Sequence, residues 1–275
     1  MKISETLQNE LRSKYSPEGS DLRRAQIRMT EMLTFFDTFC KKHSLIYWLD
    51  AGTLLGAVRH GGFIPWDDDT DVMMPKKDYE RFKKIMLSMA EHDEFVLQCH
   101  ETDPGYFGAW MVLRDKTTEY IQDSNLHRAR KYRGLQIDII ACENHFIPLL
   151  YRFCALYQNH LIDRPLQNNC EFHTIPWRVK LAYFIFQNLL IPFFHWISMI
   201  VPHNYVKYYY GAYWNSRRYL KNIFPVGRIV FEGVELSAPC NPEGYLSDEF
   251  GQWQDIPSMD KIQTHNVKFV FNNKV

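Results

Sequence analysis

Between Trp48 and Val72 the chain reads WLDAGTLLGAVRHGGFIPWDDDTDV, and this stretch constrains the fold more than any other. Small residues around Gly52 and Thr53 let the backbone turn with bare N–H groups toward a phosphate. Soon afterwards come four acids, Asp67, Asp68, Asp69 and Asp71. In an extended segment Asp67, Asp69 and Asp71 share one face, and Asp68 points to the other. Crowded carboxylates repel one another, and a divalent cation relieves that repulsion. All-oxygen ligands favour Mg²⁺, Mn²⁺ or Ca²⁺. The expectation is a phosphate-binding turn beside a metal site.

A calcium loop fails on spacing. With Asp67 in first place, the position that needs glycine holds Val72, and the position that needs glutamate holds Asp78. A merely solvated acidic turn is disfavoured by the flanking Phe63, Ile64, Trp66 and Val72. A further ligand should come from another strand, and Asp138 is the candidate. A lone acid among Leu135, Ile137, Ile139 and Ile140 is costly to bury unpaired. Metal ligation would offset that cost, and so would a salt bridge to Arg114 or Arg133.

The 275 residues carry 32 Lys and Arg against 32 Asp and Glu, so bulk charge indicates no nucleic-acid partner. The cysteines at 40, 99, 142, 154, 170 and 240 form no CxxC pair and read as reduced thiols in a cytoplasmic setting. The N-terminal stretch lacks the apolar core of a secretory signal.

Apolar spacing predicts a helix over 21–43 capped by Ser20 or Asp21, and another over 78–92. Short strands are expected at 46–49, 72–74, 94–99, 108–114 and 134–140. A hairpin over 226–236 should turn at Glu232-Gly233, and a short helix over 245–250 should stop at Gly251. This interleaving predicts an α/β (α+β) core with a mixed sheet flanked by helices. Residues 1–145 would form the core, 146–222 a helical, aromatic-rich insertion, and 223–275 the segment completing the core. From 181 to 201 there is no Lys, Arg, Asp or Glu. Gln187, Asn188, Pro192 and His195 argue against a membrane span, leaving an interfacial helix over 175–202 or one buried on the core.

Asp69-Thr-Asp71-Val72 downstream of Gly52-Thr53 resembles the signature of the nucleotidyltransferase fold, with Asp138 at its later third carboxylate. The fuller string from Tyr47 to Val72 resembles the LicD family of phosphotransferases, related to the fukutin-type proteins. The likeness extends to Gly134…Asp138 and to Phe231-Glu-Gly233…Tyr245-Leu…Gly251, while 145–222 shows no matching motif. The resemblance implies transfer of a phosphorylated alcohol, typically from CDP-choline, to a hydroxyl of a cell-surface glycan such as lipopolysaccharide, capsule or teichoic acid, releasing CMP. It also implies Mg²⁺ or Mn²⁺ held by Asp69, Asp71 and Asp138. Asp67 would act as base or complete the metal shell, and Gly52 and Thr53 would meet the phosphates.

Arg59 is the expected cation for the leaving phosphate, and His60 is either a phosphate donor or a partner of the Gly61-Gly62 turn. Tyr47, Trp48, Trp66, Tyr106 and Trp110 include candidates for stacking on the base or caging a quaternary ammonium. Arg114, Lys116 and His265 are further candidates for donor contact. The expected location is cytoplasmic, with a peripheral place at the inner face of the membrane as the alternative. Two competing readings are a metal-dependent glycosyltransferase using a nucleotide sugar, and a membrane-associated scaffold without turnover.

Overall fold

The computed structural model describes residues 3–89, 92–122, 130–169, 175–212, 216–257, 262 and 267–271. Helix α1 (Glu5–Tyr15) precedes α2 (Asp21–Lys42), which begins where expected. The Ser20 hydroxyl accepts the Arg23 N–H and caps it. One face of α2 buries Ala25, Met29, Met32, Leu33 and Phe36, at the three-to-four spacing that makes a helix lie on a sheet. Burying each large apolar side chain contributes about 1.5–3 kcal/mol.

Among the described residues that sheet has seven strands. Strand β1 (Trp48–Leu49) pairs antiparallel with β2 (Asp71–Pro75), and β2 lies parallel to β6 (Gln136–His145). On the other side of β6, its first half pairs with β4 (Met111–Asp115), which pairs with β3 (Phe95–Gln98). Its second half pairs with β7 (Pro202–Tyr208), which carries β8 (Arg218–Tyr219). A bulge between Glu143 and His145 shifts the register there and lets the sheet curl. Strand β5 (Thr118–Gln122) pairs separately with β11 (Val267–Phe271).

The predicted hairpin is β9 (Gly227–Phe231) and β10 (Val234–Ala238). Glu232 and Gly233 both take positive φ, 49° and 81°, as a two-residue turn matching strand twist requires. The carboxylate of Glu232 accepts from Arg12, Arg23 and the Phe63 N–H. The turn thereby ties α1 and α2 to the loop leading into the acids.

Three expectations about these elements need correcting. Residues 51–60 form a helix, α3 (Ala51–His60), rather than a loose turn. The segment 146–222 is not helical throughout, because β7 and β8 lie within it and β7 is a strand of the main sheet. Tyr205, Val206 and Tyr208 suit a pleated, half-buried surface better than a helix. Helix α4 (Lys76–Ser88) is also shorter than predicted. The helical part runs from α5 (Pro148–Tyr157) through a π turn over Gln158–Asp163 into α6 (Arg164–Asn169). After it, α7 (Trp177–Ile185) continues through a second π turn over Phe186–Leu190 into α8 (Ile191–Ser198). These helices share a cluster around Tyr151, Cys154, Ile162, Val179 and Phe186, separate from the sheet core. A single turn, α9 (Leu220–Ile223), and α10 (Pro242–Phe250), which ends before Gly251, return to the sheet. Among the described cysteines Cys40, Cys99, Cys142 and Cys154 are buried free thiols, and Cys240 is exposed.

Candidate active site

The parallel register sets Asp71 opposite Asp138, so both carboxylates leave the sheet on one face, with strands about 4.8 Å apart. Thr70 secures the register. Its carbonyl accepts the Asp138 N–H at 2.8 Å and its hydroxyl donates to the Gln136 carbonyl at 2.9 Å. Ahead of Asp71 the backbone is irregular, so the two-residue alternation expected of a strand does not apply to Asp67–Asp69. Carboxylate oxygens of Asp67, Asp68 and Asp69 lie within 4.8 Å of one another. Asp68, expected to face away, is thus part of the cluster, and its Oδ2 accepts the Tyr120 hydroxyl at 3.1 Å.

Helix α3 starts beside these acids. Its first intrahelical bond is Leu54 N–H to the Asp50 carbonyl, so the N–H groups of Ala51, Gly52 and Thr53 precede the ladder at the positive end of the helix. A Cβ on Gly52 would stand 3.0 Å from Asp67 Oδ2, so glycine leaves the carboxylate its place. The Thr53 hydroxyl accepts the Asp71 N–H at 2.8 Å, fastening the helix to β2. Thr53 therefore ties the start of α3 to the strand that carries Asp71, and its hydroxyl hydrogen is not used in that bond.

Burial, then the charges of Asp69 and Asp68, push the Asp67 carboxyl well above the usual carboxylate range. Asp71 is raised the same way, by burial and then by Asp69, Asp138, Asp50 and Asp67. Burial raises Asp138 as well, against the lowering effects of Arg114, Arg130 and a hydrogen bond with Trp110. Acids arranged so that ionisation is disfavoured are what a divalent cation would relieve. The all-oxygen donor set fits a hard ion such as Mg²⁺ or Mn²⁺.

A cavity of about 290 Å³ opens next to Asp138, lined by Tyr106, Trp110, Arg130, Asn159 and Asp163 among others. It lies between the sheet and the first π turn of the helical segment. The Tyr106 hydroxyl donates to the Trp110 carbonyl at 2.7 Å, and the Arg130 guanidinium sits 5.2 Å from the Tyr106 ring centroid. Two of the predicted aromatics are therefore beside the acids. Tyr47 and Trp48 are not available for stacking, since both are core residues whose polar tips bond to Asp37 and Tyr245. Trp66 packs edge-on against Tyr15, ring centroids 5.3 Å apart.

The predicted cations are placed differently from expectation. Arg59, at the far end of α3, donates to the carbonyls of Trp253 and Asp255, each at 3.0 Å, and through Nε to His60 Nε2. It locks the C-terminal segment and does not reach the acids. Because His60 Nε2 accepts, Nδ1 carries the proton and donates to Gln8 Oε1 at 2.7 Å. His60 is structural too. Arg114 is buried, held by Gln98 Oε1 and the Gly134 carbonyl, and acts on Asp138 through its charge from within the core. Burial lowers its own pKa to about 10. Lys116 lies in the turn between β4 and β5, and His265 falls outside the described residues.

Burial and the neighbouring Arg59 and Arg12 depress the His60 pKa from 6.5 to about 3. The unfolded chain takes up this proton below about pH 6.5 while the folded protein refuses it, so stability is full above that pH and falls as pH drops toward 3. The loss is at most about 1.4 kcal/mol per pH unit. We expect the His60 NMR resonances to keep their neutral positions at pH 5, whereas a titration midpoint near 6.5 would contradict this geometry.

Behind the acids lies a network built on Asp50, from the opening stretch, and on residues distant from it in sequence. Asp50 is fully buried and accepts from the Tyr208 hydroxyl at 2.8 Å and the Tyr245 hydroxyl at 2.5 Å. Arg218 Nε lies 3.3 Å from the same carboxylate, and Nη2 pairs with Glu249 and bonds the Tyr208 hydroxyl. Asp50 is the N-cap of α3, and its N–H bonds the Asp71 carbonyl at 3.1 Å. The network thus fixes where α3 starts relative to β2.

Residues 44–144 match the LicD/FKTN/FKRP nucleotidyltransferase domain. Over 80 residues the chain is 39% identical to the lipopolysaccharide cholinephosphotransferase LicD of Haemophilus influenzae, covering 29% of this chain and 30% of that protein. A longer match, 25% identical over 194 residues, covers 62% of this chain and 71% of an uncharacterized protein of Rickettsia prowazekii. A short one, 65% identical over 26 residues, covers 10% of this chain and 5% of the ribitol 5-phosphate transferase FKRP of Homo sapiens. The chain thus spans under a third of the LicD relative's length.

Proposed function

We propose, from the premise that the chain belongs to the LicD family through residues 44–144, that it transfers a phospho-alcohol from a CDP-activated donor to a glycan hydroxyl. The observation that carries this reading is the in-register pair Asp71 and Asp138 beside the Asp67–Asp69 cluster and the start of α3. Phosphocholine is the favoured group, on the likeness to the cholinephosphotransferase.

Asp69, Asp71 and Asp138 would hold Mg²⁺ or Mn²⁺. When bound, the ion neutralises diphosphate charge and stabilises the departing phosphate. The protein's own groups do the rest. First-turn N–H groups of α3 face the phosphate oxygens. Asp67, its proton affinity raised by burial and then by Asp69 and Asp68, takes the proton of the acceptor hydroxyl. Trp110 orients the Asp138 carboxylate, and Arg130 favours an anionic part of the donor in the adjoining cavity.

The test is incubation with Mg²⁺, lysate glycans as acceptors and a panel of CDP-choline, CDP-ribitol and UDP- and GDP-sugars, read by thermal stabilisation and by mass spectrometry of products. Stabilisation by a CDP-alcohol with CMP release is expected. Preference for a sugar nucleotide would overturn the reading in favour of a glycosyltransferase.

A further inference from the structure

We infer that the face formed by α5 and the α7–α8 helix is a docking surface for an anionic phospholipid bilayer, on which the protein lies without crossing it. The helix Trp177–Ser198 is long and apolar enough to span a membrane, yet only 17% of its most apolar window is buried. A core helix of this composition would be buried, so its apolar surface lacks a covering element among the described residues.

The second π turn explains how that surface is kept continuous. Trp177, Leu181 and Phe184 follow helical spacing and are all exposed. An unbroken α-helix would next present Asn188, Pro192 and His195. The π turn over Phe186–Leu190 inserts one residue, so Leu189, Phe193 and Trp196 continue the apolar stripe, each more than half exposed, with the exposed Asn188 and Pro192 beside it. His195 is turned inward, with Nδ1 3.9 Å from Glu143. Asn188 donates to the Phe184 carbonyl at 2.9 Å, satisfying a backbone group near the irregular turn.

Helix α5 runs antiparallel alongside and widens the patch. Phe153 meets Phe194 at 5.8 Å, and Tyr157 stacks on Phe186 at 4.8 Å. Leu149, Phe153 and Leu156, on one side of α5, are exposed. The opposite face of the long helix is committed to protein through Val179, Phe186 and Ile191. A helix with one side packed on its own domain cannot be ringed by lipid, so it lies in the interface plane.

Charge selects the occupant. Between residues 146 and 201 the acids are Asp163 and Glu171, against Arg152, Arg164, Arg178 and Lys180. All four cations are exposed. Trp177 and Trp196 sit near the two ends of the stripe, where amphipathic rings meet headgroups. Cations beside a broad apolar face suit an anionic lipid surface.

The test is cosedimentation of the full chain with vesicles of phosphatidylcholine alone or mixed equally with phosphatidylglycerol. The wild type is expected to pellet with the anionic vesicles, and less in high salt. Phe193→Asp combined with Trp196→Asp should weaken this by at least about tenfold, with unchanged circular dichroism because both sites are exposed. Val230→Asp, exposed on β9, should bind as the wild type does. Failure to pellet with anionic vesicles would overturn the inference, and so would equal binding by the double variant. Self-association abolished by the double variant without vesicle binding would also overturn it, assigning the face to a second copy. Asp71→Asn should bind vesicles normally, which separates this inference from the proposed reaction.

Discussion

Replacing Asp71 by Asn is expected to lower phospho-alcohol transfer by about 10³-fold or more while leaving the protein folded. If Asp71 helps to hold a divalent metal, as proposed, it would contribute several kcal/mol to transition-state charge stabilisation, and each 1.36 kcal/mol is about tenfold in rate. Asn keeps the shape and can bond locally but removes the charge. It also removes a carboxylate whose ionisation is disfavoured by burial and by Asp69, Asp138, Asp50 and Asp67, so the metal-free variant should melt at a higher temperature than the metal-free wild type. Stabilisation by Mg²⁺ should shrink in parallel. Single-turnover product formation and thermal melts with and without Mg²⁺ measure both effects. Activity within tenfold of the wild type would remove Asp71 from the metal site.

Arg218→Met is expected to destabilise the protein by about 3–5 kcal/mol, the range for breaking a buried ion pair from one side. The variant preserves volume but leaves Asp50 and Glu249 without their cation in a site where Arg218 is fully buried. The Tyr208 and Tyr245 hydroxyls still donate to Asp50, so the loss should stop short of unfolding at neutral pH. Adding Glu249→Gln should recover part of it, because a neutral amide tolerates burial without a counter-ion. Urea denaturation of the variants measures this, and a loss below about 1 kcal/mol for Arg218→Met would show that the pair does not hold the start of α3.

Much of the site was legible because its parts are contiguous. Gly52, Thr53 and the acids from Asp67 to Asp71 fall within one stretch, and Asp138 announced itself as a charge inside an apolar run. Helix α2 and the hairpin at Glu232-Gly233 were legible for the same reason, since spacing and turn chemistry are local. Errors arose where local chemistry admits two uses. Arg59 and His60 adjoin the glycine turn, yet their partners are Gln8 and the carbonyls of Trp253 and Asp255. Asp68 looked averted only under the assumption of a regular strand.

Residue types and their spacing along the chain were enough for an acidic cluster in an α+β core and for an apolar helix near residue 180, since side-chain chemistry and periodicity act over a few neighbours. Tertiary contact decided the rest. The β2–β6 register made Asp71 and Asp138 partners, and the return of β7, β8 and α10 surrounded Asp50 with Tyr208, Arg218 and Tyr245. A π turn kept the outer side of the long helix apolar. Each of these joins groups distant in sequence or depends on which face of an element is already covered, and the energy that selects among such arrangements comes from burial, which a chain acquires only once it has folded.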